Sequence, residues 1–246
     1  MARPEPHRWA FKARFRRHAF GWKSQPAIQR VKEAVSEIRK VARRDAVLAA
    51  DGAVAFLERV SPALEHVDSS SGAIGTAINT AIAELVPIIA GAPAEGTVRA
   101  AWLERLFDAH AADQIPYVEQ LADYWGALCA SEAVAAAWAD RLVGITRMAL
   151  SADKNLRGHF HGTSACLSAL FTAGRHDEIV DLVKAEAIWP YKRWTVKALA
   201  AQGKKAEAIR YAEGCWSPWA SDHDIDRLCE EILLSAGLID EAYARR

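Results

Sequence analysis

The sequence predicts an all-α protein built from antiparallel helix pairs stacked as a helical-repeat array. Three observations carry this. The 246 residues hold 50 Ala and 19 Leu against 15 Val and 15 Ile, and alanine favours helix where β-branched residues favour strand. Apolar residues recur at three- and four-residue spacing in one segment after another. A glycine-centred turn returns three times in the C-terminal third, at Gly174, Gly203 and Gly237. The length allows one or two domains with a sizeable core. The formal charge is zero but unevenly laid out: residues 1–44 hold 13 Lys/Arg and 3 Glu, and residues 45–246 hold 18 Lys/Arg and 28 Asp/Glu.

Residues 1–23 read as a basic arm in which Arg8, Lys12, Arg14, Arg16, Arg17 and Lys23 interleave with Trp9, Phe11, Phe15, Phe20 and Trp22. Residues 24–150 read as an N-terminal helical half. Ser24 and Pro26 open its first helix, with Ile28, Val31, Val35, Ile38 and Ala42 along one stripe and Arg30, Lys32, Arg39, Lys40, Arg43 and Arg44 over the rest. Asp45 caps a second helix through Val54, Leu57 and Val60, and Ser61-Pro62 is expected to kink or restart it. After the cap-rich break Asp68–Ser71, the residues Ile74, Ile78, Ala81, Leu85 and Ile89 share one helical face. With Asn79, Glu84 and Pro87 in the same window, this is a buried helix and not a membrane span. Further helices carry Trp102, Leu103, Leu106, Phe107 and His110, then Val118, Leu121, Trp125 and Leu128. Another is capped by Ser131 and carries Val134, Trp138, Leu142 and Ile145. Residues 151–162 are polar and irregular, and read as a connecting loop between the halves.

Residues 163–246 contain the internal repeat. Leu170-x-x-x-Gly174-Arg175-x-x-Glu178, Leu199-x-x-x-Gly203-Lys204-x-x-Glu207-Ala208 and Leu233-x-x-x-Gly237-Leu238-x-x-Glu241-Ala242 align, with glycines 29 and 34 residues apart. Glycine suits the left-handed residue that closes a helix, and the Glu sits early in the next one, where the dipole favours it. Ser221 and Asp224 read as a capping box. This Leu-x-x-x-Gly-Arg/Lys-x-x-Glu-Ala pattern resembles the inner turn of tetratricopeptide repeats over residues 164–246. Leu167, Val196 and Glu230 stand where that family has a small residue. The resemblance implies a stacked array of the tetratricopeptide or HEAT kind, and a role in peptide binding or assembly. The whole chain also resembles a group of bacterial proteins, a likeness that implies fold and no activity.

On this reading the protein is a non-enzymatic cytoplasmic scaffold for a protein or peptide, with no cofactor, metal site or transmembrane segment. The expected partner-binding surface is Trp189, Tyr191, Arg193 and Trp194 with Trp216 and Trp219, because Trp, Tyr and Arg dominate binding hot spots; packing between repeats is the competing role for these tryptophans. The alternative is a nucleic-acid-associated protein, with Arg8, Lys12, Arg14, Arg16, Arg17 and Lys23 on phosphates and the arm's aromatics on bases. The same aromatics would otherwise anchor the arm on the protein's own body or on a partner. Self-association is expected through the C-terminal end, where Ile232, Leu233 and Tyr243 would face outward from an array with no capping helix.

No Gly-x-Ser-x-Gly, His-Glu-x-x-His or dinucleotide fingerprint occurs. His159 and His161 with Cys166 lack a convincing third ligand. Asp222, His223, Asp224 and Asp226 read as helix capping, and Ser69–Gly75 as a serine cap lacking the lysine of a phosphate loop. Cys129, Cys166, Cys215 and Cys229 form no CxxC pair and are expected to be reduced, buried thiols.

Overall fold

The computed structural model describes residues 7–216 and 221–245, in which thirteen α-helices and one 3-10 turn form and no strand does. The all-α class therefore holds. The chain divides into two compact units, Met1–Ala130 and Ser131–Arg246. The division falls after Ala130 and not in the polar loop 151–162, which lies inside the second unit. Ala130 closes a helix in the left-handed conformation (φ 58°), and the Ser131 hydroxyl caps the next by accepting from Val134 N at 3.3 Å. That junction has neither glycine nor a polar run to announce it.

In the first unit, α1 (Ala10–Arg14), α2 (Ser24–Ala42), α3 (Ala46–Leu64), α4 (Ala73–Gly91) and α5 (Gly96–Ala111) lead through a 3-10 turn (Glu119–Tyr124) into α6 (Trp125–Cys129). The Asp45 carboxylate caps α3, accepting from Leu48 N at 2.9 Å. The helix runs through Ser61-Pro62 without restarting. It is the central rod. Ala49, Ala50, Ala53, Ala55 and Ala63 are buried along it, which lets α2, α4 and α5 pack around it closely. Arg105 of α5 holds Glu58 of α3 through two bonds, of 2.8 and 2.6 Å, and Asp51 at 2.9 Å. By length and composition α4 is the one described helix apolar enough to cross a bilayer, with mean hydropathy 1.6. In this fold Ile74, Ile78, Ile82, Leu85 and Ile89 are its buried face, packed in the core.

The N-terminal segment joins this core. Trp9, Phe11 and Phe15 are buried, and Phe11 and Phe15 meet the Phe56 ring edge-on at 5.7 and 5.1 Å. The Trp9 indole lies over Gly52, where a Cβ would collide with it. The Glu37 carboxylate accepts from the amides of Ala10 and Phe11 at 2.7 and 3.2 Å, capping α1 with a residue of α2.

The second unit contains α7 (Glu132–Ala149), α8 (Thr163–Thr172), α9 (His176–Val183), α10 (Trp189–Ala201), α11 (Lys205–Glu213), α12 (Asp222–Ser235) and α13 (Ile239–Tyr243). Each packs on the next in sequence, and α8 also on α10. The packing of α7 on α8 puts the boundary before α7. Loop 151–162 is tied down by an ion pair from Arg157 to the buried Glu186 carboxylate.

The three aligned glycines make one turn three times. Gly174, Gly203 and Gly237 have φ of 69, 80 and 77°. The residue after each glycine donates to the carbonyl five back: Arg175 to Leu170 at 3.0 Å, Lys204 to Leu199 at 2.9 Å and Leu238 to Leu233 at 3.0 Å. The glycine amides donate three back, to Phe171, Ala200 and Leu234. This pair of bonds satisfies the orphan carbonyls of a helix end and reverses the chain.

Candidate docking groove

The tryptophan surface expected around α10 does not form. Trp189 and Trp194 are 8% and 3% exposed. Trp189 packs with Val196, Leu199, Ala208, Ile225 and Cys229, and Trp194 faces Phe171 with 6.0 Å between rings while the Lys197 ammonium sits 4.7 Å above it. Tyr191 and Arg193 are half-buried, and Arg193 Nε donates to Pro190 O at 3.0 Å. Trp216 is exposed, and Trp219 lies outside the described residues. The two indoles on α10 serve inter-helix packing: Trp189, Val196 and Leu199 fall on one helical face and share a core cluster with residues of α11 and α12, and Trp194 meets Phe171 of α8.

The arm divides likewise. Its rings go inward and its cations stay outside. Arg14 pairs with Glu33 at 2.6 Å, Arg17 reaches Glu65 at 3.7 Å, Arg16 Nε bonds Ala13 O, and Arg8, Lys12 and Lys23 are exposed. Of the arm's rings, Trp22 is open to solvent, at 72% exposure. At the other end, Ile232 and Leu233 are buried, contrary to expectation, while Leu234, Leu238, Ile239 and Tyr243 are exposed.

The residues with sequence-level hints of chemistry are not brought into a constellation. His159 and His161 face each other with 3.4 Å between ring nitrogens, and among the described residues no group of three His, Cys, Asp or Glu is placed to hold a metal. The four cysteines are unpaired and buried. Burial pushes the Cys129 thiol up to about 12 and the Cys166 thiol up to about 11, far from a nucleophilic thiolate.

The feature that stands out is a trough of about 700 Å³ between α2 and α4. Ile28, Val31 and Val35 of α2 and Ala77 and Ala81 of α4 form an apolar floor, and Lys32, Arg39, Lys40 and Arg43 stand along the α2 side. The opposite wall is low because α4 presents Ala73, Ala77 and Ala81 there, four residues apart. Thr76 and Thr80 donate their hydroxyls back to Gly72 O and Thr76 O, at 3.1 and 2.9 Å, so those groups are satisfied within α4. Arg39 bridges the trough to Glu84 at 2.8 Å. Lys32, Lys40 and Arg43 have no carboxylate in ion-pair range among the described residues. Past the end of α2, Lys40, Arg43 and Arg44 line a second cavity of about 420 Å³ together with His7, Asp45 and Leu48.

The sequence displayed both halves of this trough, the cation-flanked stripe of α2 and the alanines of α4, but pairing helices that lie 31 or more residues apart needs the fold. An apolar floor under a row of cations is complementary to a segment that is apolar on one face and acidic at its margins. No family model, curated protein or solved structure matches the chain.

Proposed function

We propose that the protein is a non-enzymatic binding module that captures an acidic, amphipathic helical segment of a protein in the α2/α4 trough. The observation that carries this is the juxtaposition of the Ile28–Val31–Val35 floor with Lys32, Lys40 and Arg43, which have no carboxylate in ion-pair range among the described residues. Helix-in-groove recognition uses apolar anchors at i, i+3, i+4 and i+7, and complementary charge sets orientation and encounter rate. The scaffold role rests on this surface instead of the α10 tryptophans. The three matching glycine turns support reading the second unit as a tetratricopeptide-like array, and four unpaired thiols support a reducing, cytoplasmic setting.

The test is fluorescence anisotropy of a designed peptide helix with Leu at the anchor positions and Glu on the flanks, beside a twin with Lys flanks. The Glu-flanked helix should bind, more weakly as salt rises. The double reversal Lys40→Glu/Arg43→Glu should weaken it about tenfold or more while helicity holds. Equal binding of the two peptides, or indifference to the reversal, refutes the reading.

The nucleic-acid alternative uses the same cations and those of Arg8, Lys12 and Lys23. Burial of Trp9, Phe11 and Phe15 leaves it phosphate contacts with little stacking surface. Binding of single-stranded DNA tighter than the Glu-flanked helix at equal salt would favour it.

A further inference from the structure

We infer that the segment this trough takes is the α12–α13 edge of a second copy of the same chain, so that the protein associates head to tail. The inference rests on the trough reading above. The α12–α13 hairpin buries Ile225, Cys229, Ile232, Leu233 and Ala242 inward and turns Leu234, Leu238, Ile239 and Tyr243 to solvent, between 43% and 62% exposed. Leu234 lies in the last turn of α12, and Leu238, Ile239 and Tyr243 follow the Gly237 turn into α13, so the exposed apolar residues belong to the C-terminal part of this hairpin.

Charge selects the occupant. Residues 221–245 contain seven Asp/Glu and two Arg, and residues 23–44 contain seven Lys/Arg and two Glu. Each face therefore repels its own kind and attracts the other. A symmetric pairing of trough with trough, or of edge with edge, sets like charges together; the head-to-tail pairing sets opposite ones together. The alanine wall of α4 lets a helix backbone approach. Such a heterologous contact leaves one free trough and one free edge on every dimer, and so grows into a ring or an open chain.

The experiment is sedimentation velocity on the full chain over a concentration series, at low and at high salt, with three proteins. The trough variant is Lys40→Glu/Arg43→Glu; the edge variant is Ile239→Lys/Glu241→Lys, both positions being exposed; circular dichroism checks that each keeps its helicity. The wild type should associate with rising concentration, and less at high salt. Each variant alone should sediment as a monomer, because each has lost one of the two faces. Mixed in equal amounts, they should form a dimer and nothing larger, because one intact trough meets one intact edge. Wild-type chains that stay monomeric throughout overturn the inference, and so do variants that associate like wild type or fail to pair when mixed. If the Glu-flanked designed helix still binds in those cases, the trough reading stands and only the second copy is lost. If it does not bind either, both fall.

Discussion

Replacing the buried Arg99 should damage the first unit, although it touches no carboxylate among the described residues. Arg99 is 9% exposed and sits in the first turn of α5. Its guanidinium donates to Ile89 O at 3.2 Å, Ala90 O at 3.4 Å and Ala92 O at 2.6 Å, the carbonyls that end α4, and to Leu128 O of α6 at 3.2 Å. Burial lowers the pKa of the guanidinium, but it remains a cation at every working pH. It is a C-cap supplied from another helix, joining three helix ends. Arg99→Ala leaves buried carbonyls unmet at about 1–3 kcal/mol each; removing a desolvated cation returns part of that. The net loss should be about 3 kcal/mol. With a urea slope of about 2 kcal/mol/M, the midpoint of the first unit should fall by about 1.5 M at unchanged slope. Arg99→Met keeps the aliphatic stem and should fall nearly as far, while Arg99→Lys, with three donors from one point, should recover about half. An Arg99→Met protein as stable as wild type would show that the carbonyls need no donor, and the clasp argument would be wrong.

Four further outcomes follow. Gly52→Ala should cost about 1–3 kcal/mol by displacing the Trp9 indole and should speed tryptic cleavage after Arg14 and Arg16; a gain in stability from helix propensity would show that the arm is not packed there. Gly203→Ala should cost about 1 kcal/mol, because its φ of 80° is strained for an L side chain, whereas Gly91→Ala, in open space at the end of α4, should be neutral or better by thermal unfolding. Cys129 and Cys166 should resist a thiol reagent in the native protein at neutral pH and react on unfolding. Their folded pKa values of about 12 and 11 lie above the unfolded thiol value, so the stability they contribute is whole below about pH 8.5 and is lost as pH rises through that interval; fast native labelling would contradict their burial. Trp194→Ala should lower stability by about 3–5 kcal/mol, measured by urea unfolding; partner capture lost at full stability would return that indole to a binding role.

The sequence and the fold agree where local chemistry decides. The glycine turns, the Asp45 and Ser131 caps and the stripes of α2 and α4 are each set by residues within a turn or two of one another, and all are visible in the chain. What was illegible is non-local. The boundary after Ala130 depends on which neighbours α7 chooses. A left-handed alanine is too rare to expect. The span from Val118 to Leu128 reads as one helix but divides into a 3-10 turn and a short α6. The buried role of Arg99 shows only when the ends of α4 and α6 converge on it; in sequence it is one more arginine. The α10 tryptophans satisfy both the hot-spot composition and the packing periodicity, and periodicity won because both indoles are buried among neighbouring helices, Trp189 in the cluster with α11 and α12 and Trp194 against Phe171 of α8.

The split of charge along the chain takes its meaning from the same distinction. In sequence, the basic first 44 residues carry five aromatics and invite a nucleic-acid reading. Folding separates the two ingredients, sending most of the rings into the α3 core and leaving the cations outside. A surface stripped of its rings has Coulombic attraction but little to stack on, so what it selects depends on the apolar ground beneath the charges. Along α2 that ground is Ile28, Val31 and Val35 beside the alanines of α4. The acidic charge lies over a comparable base on α12 and α13, beside Leu234, Leu238, Ile239 and Tyr243. A chain in which the basic α2 and the acidic α12 and α13 each border apolar residues has the elements of a salt-sensitive, directional contact, and reversing either set should abolish it while leaving both folded units intact.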